Sequence, residues 1–166
     1  MTGRDETDPR YVRFIELRQV ADQAFDKGEF DRAAELANEL LALADDFSDD
    51  WNYGNAIHHG HRVLGRVALE NGDITTAKAE LLASADTPGS PTLNSFGPNL
   101  TLAKSLLEKG ETECVITYLG RCETFWQLKK MVEKKPALKP MAELVELWTE
   151  QIRRGEVPEF GPHLLY

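Results

Sequence analysis

The sequence predicts an all-α fold of stacked helical hairpins, and two observations carry that prediction. Three segments match one another: FDKGEFDRAAEL from Phe25, LENGDITTAKAEL from Leu69 and LEKGETECVITYL from Leu107. Each is centred on a glycine, Gly28, Gly72 or Gly110, with an acidic residue two before it and another immediately after. The second observation is spacing. Eight residues before the glycines stand Val20, Leu64 and Leu102, and four before stand Ala24, Ala68 and Leu106. Nine after stand Ala37, Leu81 and Leu119. Apolar residues three and four apart make one helix face. A glycine at the end of such a run supplies the left-handed backbone that stops a helix. The small residues Ala21, Gly65 and Ala103 before the turn, and Ala33 and Ala77 after it, let the two helices approach closely. One hairpin cannot bury its own face, so hairpins stack.

The helices follow in order. Thr7 or Asp8 caps the first, with Pro9 at its first position, and it runs to about Lys27. The second spans about Asp31 to Asp45, and the charged DDFSDDW segment after it reads as a solvated turn. The third is long, from about Asp50 to Asn71, and the fourth covers about Ile74 to Ala85. A loop follows, DTPGSPTLNSFGP, rich in Pro, Gly and Ser, of the kind that often carries function. In it and just after it, Asn94, Ser95, Phe96 and Asn99 are candidates to cap the next helix and to cover one end of the inner face of the stack. Pro98 is expected to open the fifth helix, ending near Lys109, and the sixth to run from about Glu111 to Lys134. Pro136 and Pro140 break it. A seventh helix, about Pro140 to Arg154, carries Leu144, Leu147, Trp148 and Ile152 on one face, as expected of a cap on the stack. The tail GEVPEFGPHLLY has no helical period, and Phe160, Leu164, Leu165 and Tyr166 argue that it packs back.

Composition narrows the function classes. Over 166 residues the net charge is −9, with 42% hydrophobic residues. That balance argues against nucleic acid, whose binding is driven by cationic surface. No apolar run spans a bilayer, and the polar start MTGRDETDPR lacks the apolar core of a secretory signal. A cytoplasmic setting with no membrane contact is expected. Cys114 and Cys122 fall on one helix, eight residues apart. Their Cα atoms would stand about 12 Å apart, too far for a disulfide, so both are expected as reduced, packed thiols.

The hairpin pattern resembles the tetratricopeptide repeat. The middle copy matches best, through Leu64, Gly65, Gly72 and Ala77; the first matches at Ala21, Ala24, Gly28, Phe30, Ala33 and Ala37. The third has Thr112 and Val115 where an aromatic or aliphatic residue and an alanine are usual. Leu17, His61 and Asn99 replace the aromatic near the start of each first helix, and the copies are irregularly spaced. The resemblance covers roughly residues 10 to 126. It implies a right-handed α-α superhelix of three irregular hairpins, with the last helix as a cap and an ordered tail. On this reading residues 1–8 are a flexible start, 9–135 the repeat domain, and 136–166 the capping helix and tail packing on the same domain. The strings NYGNAIHHGHRVLGR, TPGSPTLNSFGPN and VPEFGPHLLY also resemble a group of uncharacterised bacterial tetratricopeptide-like proteins, from which no activity carries over.

In such a stack the first helix of each pair lines the inner face. Counting from the turn glycines, that face carries Ile15, Arg18, Asp22 and Phe25, then His59, Arg62, Arg66 and Leu69, then Gly97, Leu100, Lys104 and Leu107. Four cations, Arg18, Arg62, Arg66 and Lys104, thus gather on one face of an acidic protein. Guanidinium groups bind carboxylates in a bidentate manner. A groove with cations and the apolar Phe25, Leu69 and Leu100 suits a peptide with acidic side chains or a free C-terminus. The plain alternative is internal pairing with Asp22 and Glu70. The Lys and Asn set that clamps a C-terminal carboxylate in some tetratricopeptide domains is broken here: Arg18 fits, while Asp22, Val63, Gly97 and Thr101 do not.

A second class of activity would rest on HHGH. His58 and His61 share a helix face and could begin a metal site, but their further ligands, His163, Cys114 or Cys122, have no diagnostic spacing. Packing of His61 in the helix pair is the competing expectation, with His59 facing the groove. The basic residues Lys129, Lys130, Lys134, Lys135 and Lys139 read as a solvated face. No phosphate loop, G-x-S-x-G, H-E-x-x-H or C-x-x-C occurs, so no enzyme class or cofactor is indicated. The expectation is a protein-interaction module. A metal- or small-molecule-binding protein built on His58, His59 and His61 is its rival, and self-association through the last helix and tail is a third possibility.

Overall fold

Glycine turns set the helix pairs. The computed structural model describes residues 6–165, with Leu128, Lys129 and Leu138 described in the backbone alone. Expectations for residues 1–5, for the Lys129 side chain and for Tyr166 lie outside the described residues. The described chain is helical, without a strand among the described residues, and divides into two compact units, one ending at Thr87 and one beginning at Pro88. That division falls inside the Pro- and Gly-rich loop.

In the first unit α1 (Pro9–Asp26), α2 (Phe30–Asp46), α3 (Tyr53–Glu70) and α4 (Ile74–Ala83) pack consecutively, and α1 also packs on α3. Asp8 caps α1, accepting from the Arg10 amide at 2.8 Å, with Pro9 at the first position. Asp73 caps α4, and the Thr76 hydroxyl and amide hold its carboxyl below the usual carboxylate range. Between α1 and α2 the Gly28 amide donates to Phe25 O at 2.9 Å and the Glu29 amide to Ala24 O at 2.9 Å. Gly72 and Asp73 make the same two bonds between α3 and α4, to Leu69 O and Ala68 O. This paired closure is the glycine-ended helix stop expected from the repeat. The small residues around it, Ala21, Ala33, Ala37 and Ala77, are fully buried. A Cβ on Gly60 would lie 2.6 Å from Leu41 Cγ, so glycine there permits the approach of α3 to α2. Tyr11, Phe14 and Phe47 close one end of the core, with the Phe14 and Phe47 rings stacked at 5.0 Å.

The second unit contains α5 (Pro91–Phe96), α6 (Thr101–Glu108), α7 (Thr112–Trp126), α8 (Leu128–Lys134) and α9 (Lys139–Arg153), with 3-10 turns at Pro136–Leu138 and Gly161–Leu164. The third glycine turn joins α6 to α7 with the same two bonds, Gly110 to Leu107 O and Glu111 to Leu106 O. The φ angles at the three repeat glycines are +77°, +77° and +85°.

Several boundaries differ from the sequence reading. The expected third helix starts later, at Tyr53, because Asp50 folds into the preceding turn and accepts from the Asn52 amide at 2.6 Å. The loop holds a short helix of its own, α5, capped by Ser90 through the Leu93 amide. Pro98 does not open the next helix, which begins at Thr101 after Leu100 at the cap position; the Asn99 side chain just before it accepts from the Thr101 amide at 2.9 Å and its hydroxyl at 2.6 Å. The expected sixth helix is divided at Gln127, which takes a left-handed conformation with φ +45°. On the expected seventh helix Trp148 and Ile152 are buried, whereas Leu144 and Leu147 are exposed. α9 packs on α7 and α8 within this unit. Of the tail residues expected to pack back, Phe160 is buried and Leu165 is exposed; His163, not among them, is buried as well. The His163 ring lies 5.3 Å from both Trp126 and Trp148, and its carbonyl accepts from the Leu100 amide at 2.8 Å. Cys114 and Cys122 are buried on α7 and form no disulfide among the described residues, and burial pushes the Cys122 thiol up.

Candidate functional site

The charged residues expected on the inner face gather where α1 meets α3. Asp22 lies one helical turn before Asp26 on α1; Arg62 and Arg66 have the same spacing on α3. Facing rows at that spacing meet side chain to side chain. Arg62 Nη2 donates to both Asp22 oxygens, at 2.8 Å and 2.7 Å, and also to His59 Nδ1 at 2.9 Å. Arg66 is further out, 3.6 Å from Asp22 Oδ1 and 3.6 Å from Asp26 Oδ1, with its guanidinium 3.8 Å above the Phe25 ring. That stacking orients the cation without consuming its in-plane donors.

The histidines are fixed by these partners. A guanidinium only donates, so His59 Nδ1 accepts and its proton sits on Nε2. His58 Nδ1 lies 3.0 Å from the Ser84 carbonyl, which only accepts, so His58 carries its proton on Nδ1. Burial, then the Arg62 charge, hold His58 down at about 4, against the opposing pull of the Ser84 carbonyl. Burial holds His59 well below its ordinary value, with Arg62, His58 and Arg18 acting in the same direction. His61 turns to Glu80 on α4, with Nδ1 2.7 Å from Oε2. The three imidazoles therefore have three separate assignments. Among the described residues no group of three or more His, Cys, Asp or Glu is placed to hold a metal ion.

Arg62 and Leu100 depart from the expectation that they would meet a partner. Arg62 is only 4% exposed and its terminal nitrogen already holds Asp22, so internal pairing prevails at that position. Leu100 is fully buried in the second unit, where the capping turn before α6 draws it inward. Lys104 in that unit is half-buried, as are Phe25 and Leu69 in the first. Arg18 behaves differently. It is exposed, has no carboxylate partner among the described residues, and lines a small cleft with Phe14, Ile15, Asn52 and Asn55. Its apolar neighbour Ile15 is 41% exposed. The sequence signal for this arrangement was the four-residue spacing of Arg18, Asp22 and Asp26 against Arg62 and Arg66. Which cation would be consumed internally depends on burial and was not legible in that spacing.

Comparisons with protein-family models, with curated proteins and with solved structures found no match to the chain. No helix among the described residues is long and apolar enough to cross a membrane.

Proposed function

We propose that this chain is a protein-interaction module and that the α1–α3 face of its first unit takes an extended acidic segment. The carrying observation is Arg18: an exposed guanidinium without a carboxylate partner among the described residues, at the mouth of a cleft and beside the exposed Ile15. Arg18 receives a carboxylate of the partner, and Arg66, stacked on Phe25 with long contacts to its own acids, receives a second. Ile15 and Val12, both exposed on α1, give apolar contact. Arg62 has a positioning role: it holds Asp22 and His59 and so fixes the surface from beneath. In a tetratricopeptide-like stack the first helices of successive hairpins line the concave side, and α1 and α3 occupy those places. That winding is part of the proposal.

Calorimetric titration with a short peptide alternating Glu with Leu tests it. Arg18→Glu and Arg66→Glu should each weaken binding at least about tenfold, about 1.4 kcal/mol, with the fold retained by circular dichroism. Unchanged affinity in both variants, or no binding to the wild type, contradicts the proposal. Arg62→Glu is not a useful probe, because it would bury a carboxylate against the partly exposed Asp22 and damage the fold.

A further inference from the structure

The second unit holds a cleft of different character. It lies between α7 and α9 and has a volume of about 380 Å³. One wall presents Ile116 and Gly120, one helical turn apart on α7; the other presents Val145 and Thr149, one turn apart on α9. Two such rows are the ridges between which a third helix packs. The rim is acidic: Glu123, Glu146 and Glu150, against the single cation Arg153. Glu146 and Glu150 form no salt bridge among the described residues.

Gly120 gives an independent reason to look outward. It sits in the interior of α7, is exposed, and a Cβ built there would meet nothing within 4 Å. Glycine is a poor helix residue, and no neighbour among the described residues of this unit requires its smallness. A backbone left bare in the lining of a groove permits an incoming helix to approach closely.

We infer that the α7–α9 cleft is a second docking site, and that its occupant is a basic amphipathic helix of a partner protein. The apolar stripe of that helix lies on Ile116, Gly120 and Val145, and its Lys or Arg residues meet the glutamates of the rim. The site is opposite in charge to the α1–α3 face and does not rest on the proposal for that face.

The test is calorimetry on the full chain with a synthetic peptide of Leu and Lys at helical spacing, and with its Leu and Glu counterpart. The Lys peptide should bind and the Glu counterpart should not compete. Gly120→Met, which fills open space, and the pair Glu146→Lys with Glu150→Lys should each weaken the Lys peptide at least about tenfold. Arg18→Glu should leave it unchanged. Amide NMR shifts should centre on Ile116, Gly120, Val145 and Thr149. Equal affinity in wild type, Gly120→Met and the Glu pair overturns the inference, as does absence of binding. Light scattering that shows wild-type self-association abolished by Gly120→Met would assign the cleft to a second copy and overturn it as well.

Discussion

Arg62 shows how one side chain can look functional in sequence and prove structural. Its guanidinium is nearly inaccessible, yet it holds two oxygens of Asp22 and one nitrogen of His59. Removing one partner of such a pair leaves the other poorly solvated. Arg62→Ala should therefore cost about 2–3 kcal/mol, somewhat below the about 3–5 kcal/mol of a fully buried pair, because Asp22 is itself partly exposed. Urea unfolding measures this, and a loss below about 0.5 kcal/mol, as for an exposed pair, would contradict the assignment. The adjacent histidines set a pH dependence. His58 is held at about 4 in the folded chain, against an ordinary value of 6.5, so the unfolded chain binds the proton first as pH falls. Stability is fully present above about 6.5 and is lost on descending towards about 4. Unfolding midpoints should fall across that window, and His58→Gln should flatten the fall while lowering stability at neutral pH. Parallel pH curves for the two proteins would contradict this.

At the scale of helices and turns, much of the architecture was legible. The three glycines announced three helix stops, and each makes the same pair of backbone bonds. Most apolar positions counted from them fall in the cores, from Ala21 and Ala24 through Ala77 and Leu81 to Leu102 and Leu106, while Val20 and Leu64 are only partly buried. What the sequence hid were features without a periodic signal. The helix α5 is six residues long, too short for a repeat to register, and rests on Ser90 and Pro91. The break at Gln127 involves an ordinary residue in a left-handed conformation, which no glycine marked. α6 starts at Thr101 rather than at Pro98, and the Asn99 side chain accepts from the Thr101 amide at that start, which proline cannot do. Glycine supplies a sharp pair of expectations at this scale. Neither Gly72 nor Gly120 has a neighbour within 4 Å of an added Cβ, so only backbone conformation separates them. Gly72→Ala should destabilise by about 1–2 kcal/mol, because its φ of +77° is costly for an L-residue. Gly120→Ala should stabilise by about 0.5–1 kcal/mol, because it lies inside a helix. Denaturant curves with the same sign for both would contradict the structural roles given to them.

At the scale of the molecule, a net charge of −9 conceals two surfaces of opposite character. The first unit presents the exposed Arg18 and the partly exposed Arg66 on α1 and α3, and the second lines a mixed cleft with apolar residues and glutamates. Exposed charges are screened by salt over roughly 8 Å at physiological ionic strength. Binding of the Glu–Leu and the Lys–Leu probes should both weaken as salt rises, each sensitive only to variants of its own unit. The central claim is that the α1–α3 face is a receptor for an acidic segment, and it is tested most directly by amide NMR during titration with the Glu–Leu peptide. The account predicts saturable shifts concentrated at Ile15, Arg18 and Arg66, absent in Arg18→Glu. Shifts elsewhere, or the same shifts in that variant, would contradict it.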